Sequence, residues 1–160
     1  LLTISWTRVI DGVDEEARRA PTRDGLWQAM LHKAENPVLY VPAITSSRIV
    51  ERYPDGFLRE SHRGERFLVQ RVTPDEAAGV ITFRNQDETD LSLIRNEIGT
   101  DDEGRLTLTL SITLDEGPTE TALSQSEYLR DLDCDFCGTL KAMTAVLRRT
   151  ALHGRPVAHH

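Results

Sequence analysis

Cysteine is scarce: Cys134 and Cys137 are the only two in 160 residues. A disulfide framework is therefore excluded, and a reducing, cytoplasmic setting is the expectation. No apolar run approaches the roughly 20 residues that a membrane span requires. No basic stripe is present either. The formal net charge is -7, and nucleic-acid binding normally needs a basic face, so that class is set aside. The histidines, His32, His62, His153, His159 and His160, show neither H-E-x-x-H nor any other paired metal spacing. There is no Walker loop, no G-x-G-x-x-G and no G-x-S-x-G, so nucleotide, dinucleotide and serine-hydrolase readings have no support. Neither a metal nor a cofactor is expected. The chain begins with Leu1 rather than Met, which reads as a trimmed N-terminus, and His159-His160 read as a tag remnant without function.

What is present suits one globular domain, taken as residues 1–156 with a tail at 157–160. Hydrophobic residues make up 39% and charged residues 28%, enough for a core that needs no staple. The dominant stretch runs from Ser124 to Leu152. Leu129, Leu132, Phe136, Leu140, Met143 and Leu147 recur three or four residues apart, on one stripe of a helix. Ser124 and Glu127 have the spacing of a capping box, and Gly154 and Pro156 provide the stop. Such a helix is roughly 40 Å long and must lie against something equally long.

The rest of the chain reads mostly as strand. Leu2, Ile4, Trp6, Arg8 and Ile10 alternate with Thr3, Ser5, Thr7 and Val9. After a polar loop over 11–21, Thr22 caps a helix from about Arg23 to Ala34, which Asn36-Pro37 ends. A second short helical turn is placed at Val38–Val41. Strands follow at Ser47–Tyr53, Phe57–Arg63, Phe67–Thr73, Val80–Asn85, Leu91–Gly99 and Arg105–Leu114. In the last, Leu106, Leu108, Leu110, Ile112 and Leu114 alternate with Thr107, Thr109, Ser111 and Thr113, so the leucines are expected buried and the threonines exposed. The turn at Pro54-Asp55-Gly56 is read with Gly56 left-handed, opposing Glu51 to Arg59 rather than Glu51 to Glu60 and Arg52 to Arg59. Asp115–Leu123 reads as a linker. The order is strand, one or two short helices, six strands, long helix. It predicts an α+β fold in which a curved antiparallel sheet of about seven strands wraps the long C-terminal helix.

That order is the helix-grip order, and the chain resembles the SRPBCC (START-like) superfamily. Gly25-Leu26-Trp27, Lys33-Ala34-Glu35-Asn36-Pro37, Tyr40-Val41-Pro42-Ala43-Ile44-Thr45, Arg48-Ile49-Val50-Glu51-Arg52-Tyr53, Asp55-Gly56-Phe57-Leu58-Arg59-Glu60, Arg63-Gly64-Glu65 and Asn96-Glu97-Ile98 narrow the match. Together they resemble the acetylaranotin biosynthesis cluster protein L-like family from about Trp6 to Arg149. The resemblance implies an apolar cavity between sheet and long helix that holds a small hydrophobic ligand. It implies a lining drawn from Trp27, Tyr40, Tyr53, Leu108, Leu110, Tyr128, Phe136 and Leu140, with Tyr40 near the mouth. The chain departs from the family in Arg23-Asp24-Gly25 and in its two cysteines.

The chemistry-bearing candidates are charges inside otherwise apolar strands: Glu51, Arg59, Arg71 and Glu97. An inward carboxylate held by an arginine is the catalytic arrangement sought, since burial and a close cation shift its pKa in opposite directions. The same residues also fit solvated or structural ion pairs. Cys134-Asp135-Phe136-Cys137 lies mid-helix rather than at a helix N-terminus, and no second pair completes a tetrahedral metal set, so these read as buried structural thiols, with a disulfide or a metal as the lesser alternatives. His62 reads as a surface or core-edge histidine. Three functions fit. One is a cofactor-independent pocket for cyclisation, isomerisation or dehydration of a hydrophobic or aromatic biosynthetic intermediate. Another is a carrier of a lipid-like or polyketide-like ligand. The third is a structural partner, such as a homodimer through an exposed sheet edge.

Overall fold

The computed structural model describes residues 2–10, 21–86, 91–124 and 126–153, by backbone alone at 91, 92, 116, 121, 122, 126, 128, 129, 132, 135 and 151–153. The strands are β1 (Leu2–Val9), β2 (Ile44–Tyr53), β3 (Gly56–Arg63), β4 (Arg66–Asp75), β5 (Val80–Asn85), β6 (Leu91–Thr100) and β7 (Leu106–Leu114). They form one antiparallel sheet in the order β1-β7-β6-β5-β4-β3-β2. Each of β2 to β6 pairs with its successor in sequence, as short turns require. β1 returns from a distance to pair with β7, Ile4 facing Ile112. The helices are α1 (Arg23–Glu35), α2 (Glu116–Ser124) and α3 (Ser126–His153), with a single 3₁₀ turn at Pro37–Leu39. The seven-stranded sheet and the long C-terminal helix are those that the sequence predicts.

The alternation of the strands builds the core directly. One cross-strand row runs Phe57, Val72, Phe83, Ile94, Ile112, Ile4 through the paired registers, spanning the sheet from β3 to β1. The next row contains Ile81, Asn96, Leu110 and Trp6. Against this face α3 packs Phe136, Leu140, Met143 and Leu147, all buried. The side chains of Leu129 and Leu132, the first members of that stripe, lie outside the described residues, as do the stop signals Gly154 and Pro156. α1 contributes Leu26, Trp27, Met30, Lys33 and Ala34 to the interior. Thr22 caps it, its hydroxyl accepting from the Gly25 amide at 3.0 Å.

Four local expectations are corrected. Asp115–Leu123 is not a linker: Glu116–Ser124 is helical, because Pro118 sits in the first turn, where a missing N–H costs nothing. Ser124 therefore ends α2 instead of capping the long helix, and its hydroxyl donates to the Glu120 carbonyl at 2.8 Å. The β2–β3 hairpin closes with Tyr53 opposite Gly56 and Glu51 opposite Leu58, and a register shift beyond Glu51 sets Arg59 opposite Ile49. Glu51 and Arg59 thus fall on opposite faces of the sheet. Gly56 is needed for close approach, since a Cβ there would collide with the Val72 carbonyl. Thr107 is buried rather than exposed, lying between Val9 and Gly99 on the neighbouring strands. Thr109 is half-buried and shares a 2.8 Å hydrogen bond with Thr7. On a central strand, even the outer face is partly covered by its neighbours.

Candidate active-site cavity

Between the sheet and α3 lies a cavity of about 80 Å³. Its floor is made of buried side chains and its rim of half-buried ones: Ile44, Arg63, Leu68, Ile94 and Thr139. The walls are apolar, from Pro37, Val41, Phe83, Leu110, Phe136 and Met143. Four buried polar residues break this surface: Lys33, Arg59, Gln70 and Asn96. Each occupies an inward position. Asn96 lies between the inward residues Ile94 and Ile98 of β6, and Gln70 between Leu68 and Val72 of β4. Lys33 continues the Leu26–Met30 stripe of α1 at helical spacing.

The two cations are held differently. Arg59 is 4% exposed. One terminal nitrogen donates to the Ala34 carbonyl at 2.9 Å, in the last turn of α1, where positive charge suits the helix dipole. The other donates to Gln70 Oε1 at 2.5 Å, and Gln70 in turn donates to Asn85 Oδ1 at 2.9 Å. Its Nε is buried and has no protein partner. Lys33 is 5% exposed, with Nζ donating to Asn96 Oδ1 at 2.6 Å. The Phe83 ring serves both groups, its centroid 5.1 Å from Lys33 Nζ and 4.9 Å from the Arg59 guanidinium carbon. Burial, assisted by repulsion from Arg59, lowers the Lys33 pKa to about 7. Burial lowers that of Arg59 to about 10, so it stays charged at neutrality. No Asp or Glu lines the cavity among the described residues.

Of the four charged candidates, Arg59 alone lines the cavity. Glu51 is exposed on the opposite face and accepts from the Tyr53 hydroxyl at 3.0 Å. Arg71 faces the same way: its guanidinium lies 4.1 Å from the Tyr53 ring centroid and bonds Asp55 at 2.5 Å. Glu97 pairs in register with Thr109 and alternates with the inward Asn96, so it too points outward. Of the proposed lining, Leu110 and Phe136 border the cavity. Trp27, Tyr40, Leu108 and Leu140 are buried in the surrounding core instead. Tyr40 shares a 2.6 Å hydrogen bond with His32 Nδ1. Tyr53 is on the outer face, and the Tyr128 side chain lies outside the described residues. Cys134 and Cys137 are exposed, not buried, because the stripe of Phe136 and Leu140 turns them to the far side of α3. His62 is exposed, bonding Ser46 at 3.0 Å. Lys33, Gln70 and Asn96 were missed. The signal for them was a polar residue at an inward phase, a stronger mark than charge alone.

Solved structures with the helix-grip fold match this arrangement of sheet and helix. The chain matches the aromatase/cyclase Zhui of a Streptomyces species with a TM-score of 0.65 at 16% identity, covering 98% of this chain and 99% of that one. It matches Ara h 8.0201 with a TM-score of 0.55 at 16% identity, over 91% and 97%. The di-domain aromatase/cyclase BexL, from the BE-7585A biosynthetic pathway, matches with a TM-score of 0.63 at 11% identity, over 97% of this chain and 52% of that one. No curated protein matches the chain in sequence. Residues 7–149 match the family of acetylaranotin biosynthesis cluster protein L, AtaL, and the chain belongs to that family.

Proposed function

We propose that the cavity binds the carbonyl-bearing end of a small hydrophobic or aromatic biosynthetic intermediate and promotes its cyclisation, isomerisation or dehydration without a cofactor. The observation that carries this reading is the pairing of two buried cations with, among the described residues, no carboxylate in the lining, inside an otherwise apolar wall. A carbonyl oxygen that gains negative charge as a neighbouring C–H bond breaks is stabilised by a fixed guanidinium. The unpartnered Nε of Arg59 supplies a donor that folding has already desolvated. Lys33, with a pKa of about 7, is available as both free amine and ammonium near neutrality, as proton transfer in either direction requires.

Size sets the binding mode. At 10–15 Å³ per water-sized site, about 80 Å³ holds roughly five to eight non-hydrogen atoms. Typical ligand pockets hold ~300–1,000 Å³. The reacting end therefore enters while the remainder leaves through the rim at Ile44, Arg63, Leu68 and Thr139. Arg63 lies 5.6 Å from the Phe136 ring centroid at that rim. Likeness to aromatase/cyclases in fold, and membership of a biosynthesis-cluster family, support the same class of intermediate.

The test uses a medium-chain methyl ketone in deuterated buffer, with binding followed by tryptophan fluorescence, since Trp6 stacks on the cavity residue Phe136. Wild type should bind the ketone and speed deuterium entry beside the carbonyl, and Lys33→Met should bind it without that acceleration. Binding by wild type without exchange would replace the enzyme reading with the carrier reading.

A further inference from the structure

Lys33 has a second capability. Its Nζ is fixed on Asn96 Oδ1 at 2.6 Å, in an apolar cavity open at a rim, with a guanidinium beside the same aromatic ring. A lysine kept from water and next to another cation is the arrangement that frees an amine lone pair near neutral pH. We propose that Lys33 is a covalent attachment point that forms an imine with an aldehyde or ketone ligand entering the cavity. The inference rests on the reading of the cavity as a carbonyl site and adds a bond to it.

The step balances with no added reagent. The Nζ lone pair of the neutral amine forms the N–C bond, and the carbonyl π pair moves onto oxygen, where Arg59 stabilises the charge. A proton passes from nitrogen to that oxygen to give the carbinolamine. The remaining nitrogen pair then forms C=N as the C–O bond breaks, and the departing hydroxide takes the last nitrogen proton as water. The products are a neutral imine and one water, and neutrality is favoured beside the Arg59 cation. Asn96 Oδ1 orients Nζ throughout the approach.

Among the described residues, the other charged groups lining the cavity are Arg59 and Arg63. Arg59 comes from β3 and Arg63 from the end of the same strand at the rim. β4, β5, β6, β7 and α3 present Leu68 and Gln70, Phe83, Ile94 and Asn96, Leu110, and Phe136, Thr139 and Met143, none of which titrates. Reactivity should therefore follow the deprotonation of Lys33 itself, with a midpoint near its lowered pKa of about 7.

The sequence makes the test clean, because the chain's lysines are Lys33 and Lys141, the latter exposed on α3. The protein is incubated with hexanal and sodium borohydride, which reduces an imine to a stable secondary amine, and the hexyl group is located by peptide mass spectrometry. Binding of hexanol, which cannot form an imine, is followed in parallel by tryptophan fluorescence. The expected result is one hexyl group on Lys33 at least tenfold faster than on Lys141, rising from pH 6 to 8 and lost in Lys33→Arg. Mapping on the unaltered protein gives the answer even where that variant fails to fold. Hexanol binding with label confined to Lys141 or the terminal amine overturns the imine and leaves the carbonyl site standing. Absence of both binding and Lys33 label overturns the two together.

Discussion

β3 and β4 carry two charged clusters back to back, one on each face of the same sheet. On the inner face Arg59 bonds Gln70 and Ala34, with Lys33 across the Phe83 ring. On the outer face Arg71 covers the Tyr53 ring and reaches Asp55, while Glu51 accepts from Tyr53. Both combine an arginine, an aromatic ring and neutral hydrogen-bond partners. The outer cluster has carboxylates and solvent. Among the described residues the inner one has no carboxylate, its two cations are almost fully buried, and it is there that burial lowers the pKa of both. Residue type is thus a poor guide to reactivity: the same guanidinium is a surface brace on one face and a preorganised donor on the other.

Breaking the inner cluster should have the largest effect. Arg59→Ala strands the Ala34 carbonyl and Gln70 Oε1 in the interior. Lost charge-assisted bonds together with buried acceptors left unpaired should cost about 3 kcal/mol in urea unfolding. Arg71→Ala, in a pair whose partner Asp55 is largely exposed, should cost under ~1 kcal/mol. Equal losses from the two would erase the distinction between the faces.

The pH dependence of stability sharpens the comparison. The Lys33 pKa falls from 10.5 to about 7 on folding. Between about pH 7 and 10.5 the unfolded chain therefore holds a proton that the folded one has released. Stability then rises with pH across that window, and Lys33 adds no slope below it. Chemical unfolding from pH 6.5 to 9.5 should show this rise for wild type and a flatter profile for Lys33→Met. A profile unchanged by the substitution would mean that the amine is solvated.

The smallest effect belongs to the outer side of α3. Cys134→Ser and Cys137→Ser, at exposed positions, should each stay within ~0.5 kcal/mol of wild type. A larger loss would show that α3 buries that side as well.

The sequence by itself determined the succession of strands and helices along the chain, the cap at Thr22 and the stripe from Phe136 to Leu147. These depend on periodicity and local chemistry, which a linear chain displays without its neighbours. It determined the family as well, through short motifs scattered over most of the length. It did not determine which charges share a space. A hairpin register depends on a turn and a bulge, and one residue of slip exchanges the faces of a strand. That put Glu51 outside and Arg59 inside. Lys33 belongs to a helix separated from β6 by more than half of the β-strands, so its partnership with Asn96 is invisible until the sheet curls around α3. Depth from water, which sets the pKa of Lys33, is a property of that assembly and of no segment within it. Tertiary structure alone therefore decided that the cavity holds two buried cations and, among the described residues, no carboxylate.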